Sequence, residues 1–118
     1  MKSEEKKSNS LKIKTEDIIA LSAKTAKNCY GVVAIANKEE INVVAKTIKK
    51  IMKGKNEEGV YVVKYPKDMF SVTIYLVLAQ GIKITEALRE CQKSILYALN
   101  KKYPKLCKEV SVYAIGLR

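Results

Sequence analysis

Residues 70–79, FSVTIYLVLA, constrain this chain more than any other stretch. Side chains of a β-strand alternate between its two faces. Phe70, Val72, Ile74, Leu76 and Leu78 fall on one face and are all large and apolar. Ser71, Thr73, Tyr75, Val77 and Ala79 fall on the other and are mixed. A strand with one wholly apolar face must be covered on that side, and its alternation predicts helices packed there. The mixed face is expected to be partly covered or wet.

The rest of the chain supplies those helices. Thr15 is expected to cap a helix with Glu16 and Asp17 in its first turn, where acidic groups meet the positive dipole end. Ile18, Ile19, Ala23 and Ala26 give it a small-residue stripe, and Asn28 stops it. Residues 30–36, YGVVAIA, read as a strand with Gly31 at its start. Ile41, Val44, Ala45, Ile48, Ile51 and Met52 then recur at three and four, predicting an amphipathic helix closed by Gly54. Gly59 opens another strand. The break at Pro66, Lys67 and Asp68 turns it into a hairpin with residues 70–79. Gly81 ends that hairpin.

Thr85 is expected to cap a long helix with Ile84, Leu88, Cys91, Ile95, Ala98 and Leu99 on its apolar side. Lys101 and Lys102 suit its negative end, and Pro104 enforces the stop. Residues 109–117, EVSVYAIGL, close the chain as a strand with Val110, Val112 and Ala114 on one face. The order α-β-α-β-β-α-β predicts an α+β fold, a single mixed sheet of about four strands with helices on one face. The helix before residues 109–117 is long enough for a right-handed parallel crossover. A length of 118 residues suits one domain over 15–118, preceded by a flexible basic tail at 1–14.

Composition removes most chemistry. The chain has no histidine, so the commonest general base, triad partner and metal ligand is missing. Cys29, Cys91 and Cys107 are an odd, widely spaced set that does not read as a disulfide framework. Cys91 lies on an apolar stripe, where a free cysteine behaves as a small hydrophobe. The adjacent pairs Glu39 with Glu40 and Glu57 with Glu58 diverge in direction and read as solvated charges. The stretch GKNEEG lacks the spacing of a phosphate loop. No catalytic, cofactor-binding or metal-binding residue is expected. No secretory signal or membrane span is read from the sequence, and a reducing cytoplasm fits the cysteines.

Net charge is +11, and all of the 23 basic residues except Arg89 and Arg118 are lysine. Lys46, Lys49, Lys50 and Lys53 share one side of a predicted helix. Lys101, Lys102, Lys105 and Lys108 cluster past the long one. These eight form a candidate basic interaction face for nucleic acid or an anionic lipid surface. Against that reading, charge runs are usually solvated faces, arginine is scarce, and stacking aromatics are sparse.

Several stretches together resemble the alkaline shock protein family, the Gls-type general stress proteins of Gram-positive bacteria. They are DIIALSAKTAKNCYGVVAI, GVYVVKYPKDMFSVTIYLVLAQGIKITE, the helix segment around Gln92, and EVSVYAIGL. The resemblance spans residues 15–117. Gly31, Gly59, Gly81, Gln92 and Gly116 match family positions, the glycines as backbone devices and Gln92 as a hydrogen-bonding side chain near a helix–sheet junction. The resemblance implies a non-enzymatic cytoplasmic scaffold or adaptor linked to envelope stress or homeostasis. It also implies homo-oligomers and a membrane-anchored protein partner that can hold the chain at the membrane periphery. The alternative from charge alone is a basic RNA- or DNA-binding module acting through the lysine faces.

Overall fold

A computed structural model describes residues 13–36, 55–57 and 59–118. Helix α1 spans Thr15–Lys27, followed by strand β1 at Val32–Ile35. Strands β2 (Lys55–Glu57), β3 (Val60–Lys64) and β4 (Phe70–Leu78) come next. Helix α2 (Ile84–Lys102) and strand β5 (Cys107–Leu117) complete the order. The expected helix over Ile41, Val44, Ala45, Ile48, Ile51 and Met52 lies outside the described residues.

The architecture is α+β, one mixed sheet with both described helices on the same face. β4 is its axis. β3 pairs antiparallel with the first half of β4, from Lys64↔Phe70 to Val60↔Ile74. β1 pairs antiparallel with the far half, from Ile35↔Leu76 to Val32↔Leu78. The two therefore lie end to end along one edge of β4. They meet at Tyr75, whose N–H donates to the Gly59 carbonyl at 3.0 Å while its carbonyl accepts from the Ala36 N–H at 2.9 Å. On the other edge β5 runs parallel to β4 along its whole length, from Phe70↔Cys107 to Leu78↔Leu117. α2 supplies the crossover. β2 pairs with β3, so the sheet has five strands rather than about four.

Phe70, Val72, Ile74, Leu76 and Leu78 are fully buried beneath the helices. From above, α1 contributes Ile18, Ile19, Ser22 and Ala26. α2 contributes Ala87, Cys91, Ile95 and Leu99. Burying each large aliphatic side chain here stabilises the fold by roughly 1.5–3 kcal/mol. The row in α2 advances by four residues at each step. Ile84, expected on that stripe, is exposed because it lies one residue, about 100° of helix rotation, off the row.

The threonine caps are not as expected. α1 starts one residue earlier and α2 two, with extended Lys14 and Lys83 at the N-cap positions and no side-chain cap at either. The Lys14 carbonyl already accepts from Asp17 at 3.0 Å and the Lys83 carbonyl from Ala87 at 3.0 Å, which places Thr15 and Thr85 inside the first turns. Asn28 does end α1, its amide Nδ2 donating to the Lys24 carbonyl at 3.1 Å.

The second face of β4 is drier than its mixed composition suggests. Ser71 and Thr73 are half-buried, but Tyr75 and Val77 are almost wholly buried. A smaller apolar cluster of Ala36, Tyr61 and Tyr75, with Ile115 against it, sits on this side.

Candidate interaction surface

The sheet face away from the helices carries a row of tyrosines, one from each of three neighbouring strands. Tyr61 on β3 meets Tyr75 on β4 edge to face, with ring centroids 5.7 Å apart. Tyr75 stacks on Tyr113 of β5 at 5.6 Å and 23°. The pairing that sets Tyr75 opposite Tyr113 creates this stack. Burial pushes the Tyr75 hydroxyl above the ordinary tyrosine range, and Tyr113 and Tyr61 push it the same way. Burial raises Tyr61 as well. The row grades outward, from buried Tyr75 to Tyr113, which is 45% exposed.

Beside that row runs the edge of the sheet. β5 pairs with β4 alone among the described strands. Its stretch 110–117, VSVYAIGL, holds no charge and no proline. Natural edge strands are usually blunted by lysine, proline or shortness, because their unpaired N–H and C=O groups template another strand. In β5 the charges sit only at its start, Lys108 and Glu109.

At that start the chain is basic. Lys101 and Lys102 end α2, and Lys105 and Lys108 follow. The Lys102 ammonium lies 5.5 Å from the Tyr103 ring centre and that of Lys108 lies 4.4 Å from the Tyr65 ring centre. Half of this cluster is therefore engaged with aromatic faces of its own chain. Lys46, Lys49, Lys50 and Lys53 lie outside the described residues.

The singled-out glycines occupy chain reversals or a register change. Gly31, Gly59 and Gly81 take the left-handed region, with φ of 82°, 85° and 85°. Gly116 stands opposite Val77 where β5 slips register against β4. Gln92 leaves α2 and donates from Nε2 to the Val110 carbonyl at 2.7 Å, tying the helix to β5.

Among the described residues no group of three His, Cys, Asp or Glu side chains is placed to hold a metal. No helix there is long and apolar enough to cross a membrane. The tyrosine row and the β5 edge escaped sequence reasoning. The available signal was the long helix before residues 109–117, which calls for a parallel crossover and sets that strand beside β4.

Comparison with known proteins agrees with this architecture. Two single-site variants of MamM-CTD superpose with TM-scores of 0.53 and 0.52 at 10% and 11% identity. The first match covers 89% of this chain and 99% of that one, the second 87% and 94%. At that identity the likeness concerns the fold alone. The uncharacterized protein YloU of Bacillus subtilis (strain 168) is 24% identical over 106 residues, 90% of this chain and 86% of YloU. Residues 3–118 match the pattern of the alkaline shock protein 23 family, described by a cell envelope-related function. With that match running through both helices and all five strands, the chain belongs to the alkaline shock protein 23 family.

Proposed function

We propose that this chain is a non-enzymatic scaffold at the cell envelope, which works by pairing its β5 edge with that of a second copy. In this reading residues 15–118 act as one unit, residues 1–14 are a basic tail, and a membrane-anchored protein holds the assembly at the cytoplasmic side. The observation that carries the reading is the uncharged edge at 110–117. Family membership supplies the envelope.

Self-pairing is favoured over a foreign strand by the sequence of β5 itself. An antiparallel pair centred on Val112 sets Val110 opposite Ala114 and Ser111 opposite Tyr113. Lys108 then faces Gly116 and Glu109 faces Ile115, so no like charges meet. A two-fold interface of this kind is isologous, the same patch serving both copies. It leaves the tyrosine row continuous across both sheets, as a surface for the envelope-linked partner.

The double variant Ser111→Lys with Tyr113→Lys places cations where the two strands would meet. It is expected to weaken self-association at least tenfold, about 1.4 kcal/mol. Light scattering on a sizing column checks this, with Tyr97→Lys as a charge-matched control on an exposed α2 position. Self-association lost in the double variant and kept in the control supports the reading. A wild-type chain that is monomeric throughout, or equal behaviour of the two variants, contradicts it.

A further inference from the structure

Lysines gather at one end of the molecule, where β3 stops and β4 and β5 start. Lys64 closes β3 and pairs with Phe70, the first residue of β4, which in turn pairs with Cys107, the first of β5. The turn between β3 and β4 adds Lys67. The passage from α2 into β5 adds Lys101, Lys102, Lys105 and Lys108. α1 begins at the same end. The Lys64 ammonium donates to the Ile13 carbonyl at 2.8 Å. A groove of about 420 Å³ has Ile13, Lys14 and Asp17 on one bank and Lys102, Pro104 and Leu106 on the other.

These lysines are all exposed. They outnumber the carboxylates around them, Glu16, Asp17, Asp68 and Glu109. None of them is ion-paired among the described residues, whereas Lys83 and Lys93 meet Glu86 at 3.9 Å and Glu90 at 4.0 Å. Two of them also hold backbone conformations that do not suit them. Lys67 has a φ of 66° and Lys105 a φ of 65°, the left-handed region where glycine is at ease and a lysine is strained. Strain kept at two exposed turns, on residues of one charge, points to a use for their side chains.

We propose that this lysine end docks directly on a bilayer containing anionic lipid, its ammonium groups meeting phosphate headgroups. Charge complementarity selects an anionic partner. The surroundings of the lysines select lipid over nucleic acid. Both arginines lie elsewhere, Arg89 in the second turn of α2 and Arg118 beyond the far end of β5, so planar bidentate recognition is missing here. Tyr65 is exposed at this end, but the Lys108 ammonium lies 4.4 Å from its ring centre, on a face that a stacking base would need. A tyrosine among lysines, with Pro104 and Leu106 beside them, combines charge and apolar surface as a headgroup layer requires. Membership of a family with a cell envelope-related function agrees with a bilayer as the partner. The docking does not rest on self-pairing of β5. An antiparallel pair would point the two lysine ends away from each other, and each end acts alone.

The test is sedimentation of the full chain with vesicles of phosphatidylcholine alone, and of phosphatidylcholine mixed with phosphatidylglycerol. Binding is expected only to the mixture, and to weaken as salt screens it. The triple variant Lys67→Gly, Lys101→Gln, Lys105→Gly takes three charges from the end, and its glycines suit the left-handed turns, so it is expected to fold. Its affinity for the mixed vesicles is expected to fall about tenfold or more. A charge-matched control, Lys24→Gln, Lys27→Gln, Lys93→Gln, takes three exposed lysines from elsewhere on α1 and α2 and is expected to keep its affinity within about twofold. Should the triple variant fail to fold by circular dichroism, Lys14→Glu with Lys101→Glu replaces it, with the same expected loss. No sedimentation with the mixed vesicles, or equal losses in variant and control, overturns the proposal. Tighter binding to single-stranded RNA than to the vesicles, lost in the same triple variant, overturns it as well.

Discussion

Gly59→Ala is expected to destabilise the fold by about 3 kcal/mol or more, although it adds one methyl group. Two effects combine. Gly59 has a φ of 85°, a conformation that costs an L-residue roughly 1–2 kcal/mol. An added Cβ would also stand 2.7 Å from the Ala36 carbonyl oxygen, 2.7 Å from Ile35 Cγ2 and 3.3 Å from the Tyr75 carbonyl oxygen. The first and last of these are backbone atoms, held by the hydrogen bonds that seat β1 and β3 end to end on β4. Gly81 separates the two effects. Its φ is also 85°, but nothing lies within 4 Å of its Cβ position. Gly81→Ala should therefore cost only the conformational share, about 1–2 kcal/mol. Urea denaturation midpoints of the two variants check the difference. Equal losses would mean that β1 and β3 do not abut as described.

Phe70→Ala is expected to cost about 3–5 kcal/mol, the range for emptying an aromatic site in a well-packed core. Phe70 is wholly buried where four elements converge. Lys64 of β3 pairs with it on one side and Cys107 of β5 on the other. Its N–H donates to the Leu106 carbonyl at 3.0 Å. Its ring meets Tyr103, just past α2, edge to face at 5.7 Å and 89°. The backbone on both sides is pinned by strand pairing, so the site cannot collapse around the vacancy. Thermal unfolding followed by circular dichroism reads the effect. A loss below about 1 kcal/mol would show that the far end of the sheet repacks freely.

These two positions also mark what the amino-acid order tells and withholds. Phe70 was legible, because strict alternation over nine residues of β4 leaves only one way to hide five large side chains. The hairpin with β3 and the crossover through α2 followed from turn chemistry and helix length. Gly59 was legible as a strand opening. That β1 and β3 share one edge of β4 was not, since strand order is a matter of which surfaces meet. β2 was missed because Lys55, Asn56 and Glu57 have weak strand preference, and their state comes from pairing with β3. The helix starts were placed late, by one residue at α1 and by two at α2, because threonine is a good cap in general, whereas here the chain turns helical directly after the extended Lys14 and Lys83 with no side-chain cap.

The candidate surface shows the same division. The lysine spacing was the conspicuous feature of the sequence, yet the structure parks Lys102 and Lys108 over tyrosine rings. Tyr61, Tyr75 and Tyr113 lie far apart in the chain, and only strand pairing assembles them into a row. An edge has no local signature either. Residues 110–117 read as an ordinary apolar strand until the order of the described strands leaves one side of them without a partner among those strands. Cys91 was recognisable as core from its stripe, and it is fully buried.

Amide hydrogen exchange along β5, followed across a range of protein concentrations, bears most directly on the scaffold reading. If the edge pairs with a second copy, outward amides within residues 110–114 slow at least tenfold as concentration rises, while amides of β1 keep a constant rate. Exchange along β5 that ignores concentration, over a range in which the particle mass grows, would place the self-contact elsewhere and contradict the account.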